Sequence, residues 1–419
     1  MRLSTRARRD CVWKSSRFYG IMFRAFHLSG RTHVPGRTTM TKGGTMSKPL
    51  KVGLIGTGGI SRQHLPAYEQ FPEQVKLKAV CDIFEEAAKE RAKQANVSDI
   101  YVDYKKMLSE ADIDAVDICT NHDTHAEMTI AAAEAGKHVL VEKPMGNDIQ
   151  ECHDMIAATD KAGVTLMIAN LLRFSPAAKA VKQLLDDGEL GTIRAARIDT
   201  VLHGVGILRE GHWMLDGNAG GGVGMTNTIH ETDLVRYLIG DVKTVTGVVK
   251  SVSPQMKNGA EDMICATLEF ENGAIGTVLC LWCAPRSPVS QGYMLFGDEG
   301  SLYTLPQRPI YQGDHFGPVV VSSPKRDTAE TAPVNRRDPE AREVKGMEDI
   351  MGHFAPLESG NHGLPTDNCF TNEILHFAEC CQEGKEPISS GKAIIGSMKL
   401  IFGIFESART GKAVELASL

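Results

Sequence analysis

Lys143 closes an apolar run at residues 138–144 (HVLVEKP), where a strand delivers a glutamate, a lysine and a proline to its carboxyl end. Ligands of open parallel sheets lie beyond the carboxyl ends of the strands, so a lysine there points into a cleft rather than bulk water. Partial desolvation in such a cleft lowers its pKa. That suits it to exchange a proton with a substrate hydroxyl or carbonyl near neutral pH. Glu142 is placed to hold it. The alternative is a surface lysine paired with Glu142 at a strand end.

A second set of chemical groups lies in residues 211–240, GHWMLDGNAGGGVGMTNTIHETDLVRYLIG. Three consecutive glycines, Gly220 to Gly222, are costly in regular structure and mark a loop that needs positive φ or close approach to a ligand. In the helix expected next, Asn227, His230 and Asp233 recur at i, i+3 and i+6. The first two share a face and can project toward one substrate. A lone helix histidine is usually structural, but the polar neighbour and the glycine loop favour a catalytic one here.

A third set reads Gly56-Thr57-Gly58-Gly59-Ile60-Ser61 between a strand (51–56) and a helical pattern. Gly56 permits the tight turn, Gly58 lets backbone approach a pyrophosphate, and the helix start offers free N–H groups to phosphate. Ser61 stands where a third glycine is usual. The next strand (76–82) ends in Asp82, whose carboxylate can accept from adenosine ribose hydroxyls, or cap the helix expected over 84–95. Its charge favours NAD, with NADP not excluded. Thr120 and Asn121, after a third strand (114–120), should open on the same cofactor. His122 and His125 beside them read rather as capping or packing residues.

These groups need a scaffold. Helices at 104–111, 125–135 and 148–162 alternate with strands at 114–120, 138–141 and 165–170, which implies a parallel sheet covered on both faces. From Arg173 the pattern changes. A helix at 176–185 leads to half-exposed strands at 192–201, 243–252, 263–270, 274–282 and 291–296, then to helices at 372–383 and 391–410. The expected class is α/β: a Rossmann domain over 49–172 and an α+β domain over 173–419 with a mostly antiparallel, open sheet. Residues 306–366 lack periodicity and read as a lid, a subunit arm or an insertion.

The 419 residues carry a net charge of −6, but residues 1–45 alone hold eight Arg, two Lys and one acid. The remainder is therefore at −15, which argues against nucleic acid as a partner. Residues 1–48 are expected to be a basic leader outside the fold, either an organelle transit peptide or a stretch upstream of a start at Met46. A cytoplasmic location follows, or a mitochondrial one if the leader is a transit peptide. No apolar run reaches the ~18 residues of a membrane span. Ten scattered cysteines suit buried free thiols in a reducing compartment. Cys280-x-x-Cys283 lacks the matching pair of a zinc site, so no metal is expected.

AGKHVLVEKP at 135–144, the glycine entry at Gly56, RFSP at 173–176, and GGG followed by His230 and Asp233 together resemble the Gfo/Idh/MocA oxidoreductases. The likeness runs from about Lys51 to the C-terminus. It implies a Rossmann domain with a sheet domain that forms homodimers or homotetramers, and NAD(P)-dependent oxidation of a secondary hydroxyl on a sugar, cyclitol or related polyol. It makes Lys143 and His230 the catalytic pair. Asn227, Arg173 and Lys143 become substrate-binding residues. Gly56, Gly58, Gly59, Ile60, Asp82, Thr120, Asn121 and Glu142 become cofactor-binding. Many members carry an aspartate four residues before the histidine, where this chain has Thr226, so an Asp-His relay is not expected. In the implied mechanism His230 takes the hydroxyl proton, Lys143 polarises the oxygen, and hydride passes to the nicotinamide. Two other readings stay open: cleavage of glycosidic bonds by transient oxidation, and a non-catalytic dinucleotide sensor.

Overall fold

A computed structural model describes residues 48–285, 287, 291–304, 319–325, 355–356 and 364–419. The basic leader and most of the 306–366 segment lie outside the described residues. Six strands make the first sheet: β1 (Leu50–Ile55), β2 (Val75–Cys81), β3 (Asp99–Tyr101), β4 (Ala115–Ile118), β5 (His138–Glu142) and β6 (Leu166–Ala169). All pairs are parallel, in the order β3-β2-β1-β4-β5-β6. The winding reverses between β1 and β4, and a crevice opens at the carboxyl ends of those two strands. Both faces are covered by α1 (Ser61–Gln70), α2 (Glu85–Gln94), α3 (Tyr104–Glu110), α4 (His125–Glu134) and α5 (Ile149–Ala162). Burial on both faces is why β4 and β6 read as unbroken apolar runs apart from Asp117. Strand β3 escaped the sequence reading because three residues carry no period.

After α6 (Pro176–Asp186) the chain builds a nine-stranded sheet from β7 (Ile193–Val201), β8 (Val242–Lys250), β9 (Met263–Phe270), β10 (Ile275–Leu281), β11 (Gln291–Gly297), β12 (Ser301–Thr304), β13 (Val319–Ser322), β14 (Ala355–Pro356) and β15 (Val414–Glu415). Its pairs are antiparallel except β7 with β10. Between β7 and β8 lie α7 (Gly204–Ile207), a π-helical turn at Gly224–Thr228, and α8 (Ile229–Ile239). Strand β13 corrects part of the unstructured reading of 306–366. Val319 to Ser322 are buried and paired with β12, so this stretch is sheet.

One face of this sheet packs on α8 and on α10 (Gly391–Thr410), which also touches α5 and β6; the helix before it is α9 (Cys369–Glu383). The other leaves Val248, Cys265, Ile275 and Phe296 exposed. Cys265 therefore departs from the expectation of buried thiols. Helix α9 also returns to pack on α1 and β1 of the first sheet. The C-terminal helices thus belong spatially to both halves.

Candidate active site

The glycine turn leaves β1 at Gly56, whose φ is +90° and where a Cβ would lie 2.6 Å from the Cys119 carbonyl oxygen. Only glycine fits that contact between the ends of β1 and β4. Around the Cβ positions of Gly58 and Gly59, by contrast, nothing lies within 4 Å. The loop therefore presents bare backbone at the mouth of the crevice, as a pyrophosphate cradle requires. Ile60 precedes α1 without a side-chain cap, and Ser61 Oγ returns to the Gly58 oxygen at 2.9 Å. The serine thus closes the turn where a third glycine is usual.

Asp82 accepts from Thr57 N at 2.8 Å and Thr57 Oγ1 at 2.7 Å, and from Phe84 N at 2.9 Å. It ties the glycine loop to the start of α2, and a carboxylate has lone pairs left for a ribose. Arg91, buried on α2, donates to the Thr57 and Gly58 oxygens from the protein side. Across the crevice Thr120 Oγ1 accepts from Thr124 Oγ1, and Asn121 is exposed at the start of the following 3-10 turn.

Lys143 leaves the end of β5 half-buried, and its Nζ donates to the Thr226 main-chain oxygen at 3.0 Å. Burial lowers its pKa, partly offset by Glu142 and Glu231. Thr226 lies in the π turn one helical turn before His230. Such turns break the regular ladder and recur at functional sites. They also alter the spacing argument made from sequence, since Asn227 is in the π turn and His230 in α8. Lys143, from the first half of the chain, therefore reaches the turn that leads into the helix bearing His230. Asn227 Oδ1 accepts from the indole Nε1 of Trp282 at 2.9 Å, which fixes the orientation of its amide.

The glycine triplet also serves the protein itself. Gly220 and Gly222 take positive φ, and a Cβ on Gly221 or Gly222 would strike Met214 or Glu261. The Gly220 oxygen meets His122 Nδ1 at 3.2 Å, so His122 donates across the crevice. Burial, with help from Lys143 and His125, brings the His122 pKa down to about 2 and keeps the ring neutral. His125 is buried with Nδ1 2.8 Å from the Pro144 oxygen, a packing role.

Two expectations are corrected. Arg173 is 6 % exposed, and its guanidinium grips Asp233 through Nε at 2.8 Å and a terminal nitrogen at 2.6 Å. The remaining nitrogen donates to the Ile388 oxygen, and the group lies over the Tyr237 ring at 5.0 Å. With every guanidinium nitrogen engaged inside the fold, Arg173 ties the start of the second half to α8 and to the chain at Ile388, and its guanidinium is committed to the fold rather than left for a substrate. Glu142 does not hold the Lys143 ammonium. It is buried, with Oε1 3.2 Å from His64 Nε2 and Oε2 accepting from Lys143 N at 3.1 Å. It supports the lysine through the backbone, and both its oxygens are engaged by the protein.

Sequence reasoning missed the polar network behind Glu142. His64 Nδ1 lies 2.9 Å from Asp117 Oδ2, which also accepts from Tyr68 at 2.7 Å. A ring facing carboxylates through both nitrogens donates from both and is an imidazolium. Burial opposes that charge, and Asp117 overcomes it, holding the pKa well above the ordinary value. His64 and Tyr68 stand at i, i+4 on α1, a polar pair on its inward face that the sequence did display. Cys119 joins them, with ligand-type atoms of His64, Asp117 and Cys119 within 4.8 Å of one another. Burial pushes the Cys119 thiol up and the imidazole is committed to two carboxylates, so the donor set suits a hydrogen-bonded core better than a metal. Glu231, next to His230, was also passed over.

The profile described as "Oxidoreductase family, NAD-binding Rossmann fold" matches residues 50–170, and "GFO/IDH/MocA C-terminal domain" matches residues 178–303. The uncharacterized oxidoreductase YrbE of Bacillus subtilis is 33 % identical over 273 residues, 63 % of this chain and 76 % of that protein. D-apiose dehydrogenase of Paraburkholderia graminis is 27 % identical over 380 residues, 90 % of this chain and 92 % of that one. Among solved structures, aldose-aldose oxidoreductase from Caulobacter crescentus complexed with glycerol superposes with a TM-score of 0.73 at 26 % identity. It covers 88 % of this chain and 100 % of that chain.

Proposed function

This chain belongs to the Gfo/Idh/MocA family of NAD-binding oxidoreductases, and from that premise we propose that it oxidises a secondary hydroxyl of a sugar, cyclitol or related polyol at the Lys143–His230 site. Gly56, Gly58, Gly59, Ile60, Asp82, Thr120 and Asn121 would hold NAD, whose nicotinamide, when bound, supplies the hydride acceptor. The open backbone at Gly58 and Gly59 fits that group. Lys143 binds the reacting oxygen and His230 takes its proton, while the Asn227 amide, oriented by Trp282, contacts a neighbouring hydroxyl.

The observation that carries this reading is the 3.0 Å bond from Lys143 Nζ to Thr226, which brings the lysine of one half to the helix that bears His230 in the other. Lys143→Ala should cut turnover by roughly 10²–10⁴-fold, the scale of an acid–base group, while NADH fluorescence titration still reports binding. Retained turnover on a panel of inositols, aldoses and anhydrosugars would refute the assignment. The same panel with NAD and NADP identifies the polyol, and Asp82 favours NAD through like-charge repulsion of a 2′-phosphate.

Assembly and location extend the reading. Val248, Ile275 and Phe296 on the open sheet face support a homodimer or homotetramer, which light scattering on the purified protein would measure. The nine described cysteines are free thiols, which suits work in the cytoplasm, testable by cell fractionation. Among the described residues no helix is long and apolar enough to cross a membrane.

A further inference from the structure

We infer that Glu231 is a positioning residue for this reaction, a buried carboxyl whose negative charge keeps the proton on Lys143. The inference rests on the dehydrogenase reading above and adds to it the control of the lysine's protonation state.

Glu231 follows His230 in the first turn of α8 and is fully buried. Its Oε1 accepts from Thr200 Oγ1 on β7 and from Gln291 Nε2 on β11 at 3.4 Å, which fixes the plane of the carboxyl against the second sheet. Its Oε2 has no hydrogen-bond partner among the described residues. A buried carboxylate with one bare oxygen is unfavourable unless the group is protonated or faces a cation. Lys143 is the cation at hand, since its Nζ rests on the Thr226 oxygen in the turn that runs into α8.

The other groups facing Glu231 do not compete for that role. Cys280 on β10 and Tyr293 on β11 are pushed up by burial and stay neutral. Asp199, next to Thr200 on β7, lies on the other side of that strand and is paired with Arg197 at 2.9 Å. Burial lifts Glu231 itself to about 7, although Thr200 and Lys143 act against the rise. The carboxyl thus becomes charged over the neutral range, while burial lowers the Lys143 pKa from its ordinary value. The two effects oppose, and Lys143 stays protonated to higher pH than its burial alone permits.

The test compares the wild-type holoenzyme with Glu231→Gln and Glu231→Asp. In the pH dependence of kcat/KM, the alkaline limb of Glu231→Gln should move down by about one unit, the scale of losing one neighbouring charge. Glu231→Asp, which keeps the charge, should stay near the wild-type position. A limb that is unmoved in the Gln variant, or moved equally in both, overturns the inference. Thermal melts report folding, and Glu231→Met replaces the Gln variant if that one unfolds. A second readout needs no turnover: ¹³C NMR of reductively methylated lysines, with the Lys143 signal identified by its loss in Lys143→Arg. Its titration should shift down in Glu231→Gln, and an unchanged titration overturns the inference. An enzyme inert toward every polyol would instead sink the dehydrogenase reading and leave this NMR result to decide Glu231.

Discussion

The guanidinium of Arg173 and the carboxylate of Asp233 form a two-pronged ion pair that spans 60 residues of sequence and is 6 % and 1 % exposed at its two ends. Ser397 Oγ on α10 donates to the same carboxylate at 2.9 Å, so three parts of the chain converge there. Removing one partner strands a buried charge, which costs about 3–5 kcal/mol, whereas replacing both by apolar residues of similar volume restores most of it. Asp233→Ala should accordingly lose about that much in urea unfolding. The double variant Arg173→Met, Asp233→Leu should recover most of the loss, and a double variant as weak as the single one would contradict this account.

The two glycines of the first turn should fail differently. Gly56→Ala forces a Cβ to 2.6 Å from backbone at a φ of +90°, so it should lower the melting temperature. Gly58→Ala has open space on the protein side and should melt like the wild type. Its methyl would occupy the approach to the pyrophosphate, so NADH binding should weaken by tenfold or more. Calorimetry of both variants with and without NADH separates the outcomes.

Burial lowers the Lys143 pKa from its ordinary 10.5, and the proposed role needs the protonated form. The rate of polyol oxidation should therefore fall at alkaline pH, with a midpoint below 10.5. Lys143→Arg, which does not deprotonate in this range, should remove that limb from whatever activity remains. A limb at the same pH in the Arg variant would assign it to another group.

His64 offers a stability test with a defined sign. Its folded pKa is raised above the ordinary 6.5, so its contribution is fully present below that pH and is lost as pH rises through the folded value. His64→Ala leaves Asp117 and Glu142 facing each other without the cation between them, at a cost of about 3–5 kcal/mol. The gap between wild type and variant in unfolding free energy should be widest near pH 6 and narrow at alkaline pH. A gap independent of pH would mean that the ring is held neutral.

Much of the fold was legible because it is written in short-range pattern. The apolar runs at β1, β2, β4, β5 and β6, the glycine turn, and the carboxyl-end position of Lys143 each depend on residues within one strand–turn–helix unit. Their expected ends fall within one or two residues of those observed. Strand β13 was lost because its four residues lie inside a polar, proline-rich stretch, where pairing with β12 decides the structure.

The residues themselves specify a glycine-lined parallel sheet, a lysine at a strand end and a histidine beside a glycine loop, because local sterics and periodicity are enough for those. Tertiary structure alone decided the partners: Lys143 with Thr226, 83 residues on, Glu142 with His64, 78 residues back, and Arg173 with Asp233 instead of a substrate. A charged side chain states what it can bond to but not what folding will bring within 3 Å of it. In a buried site the cost of leaving it unpaired makes that neighbour, more than the residue type, determine its role.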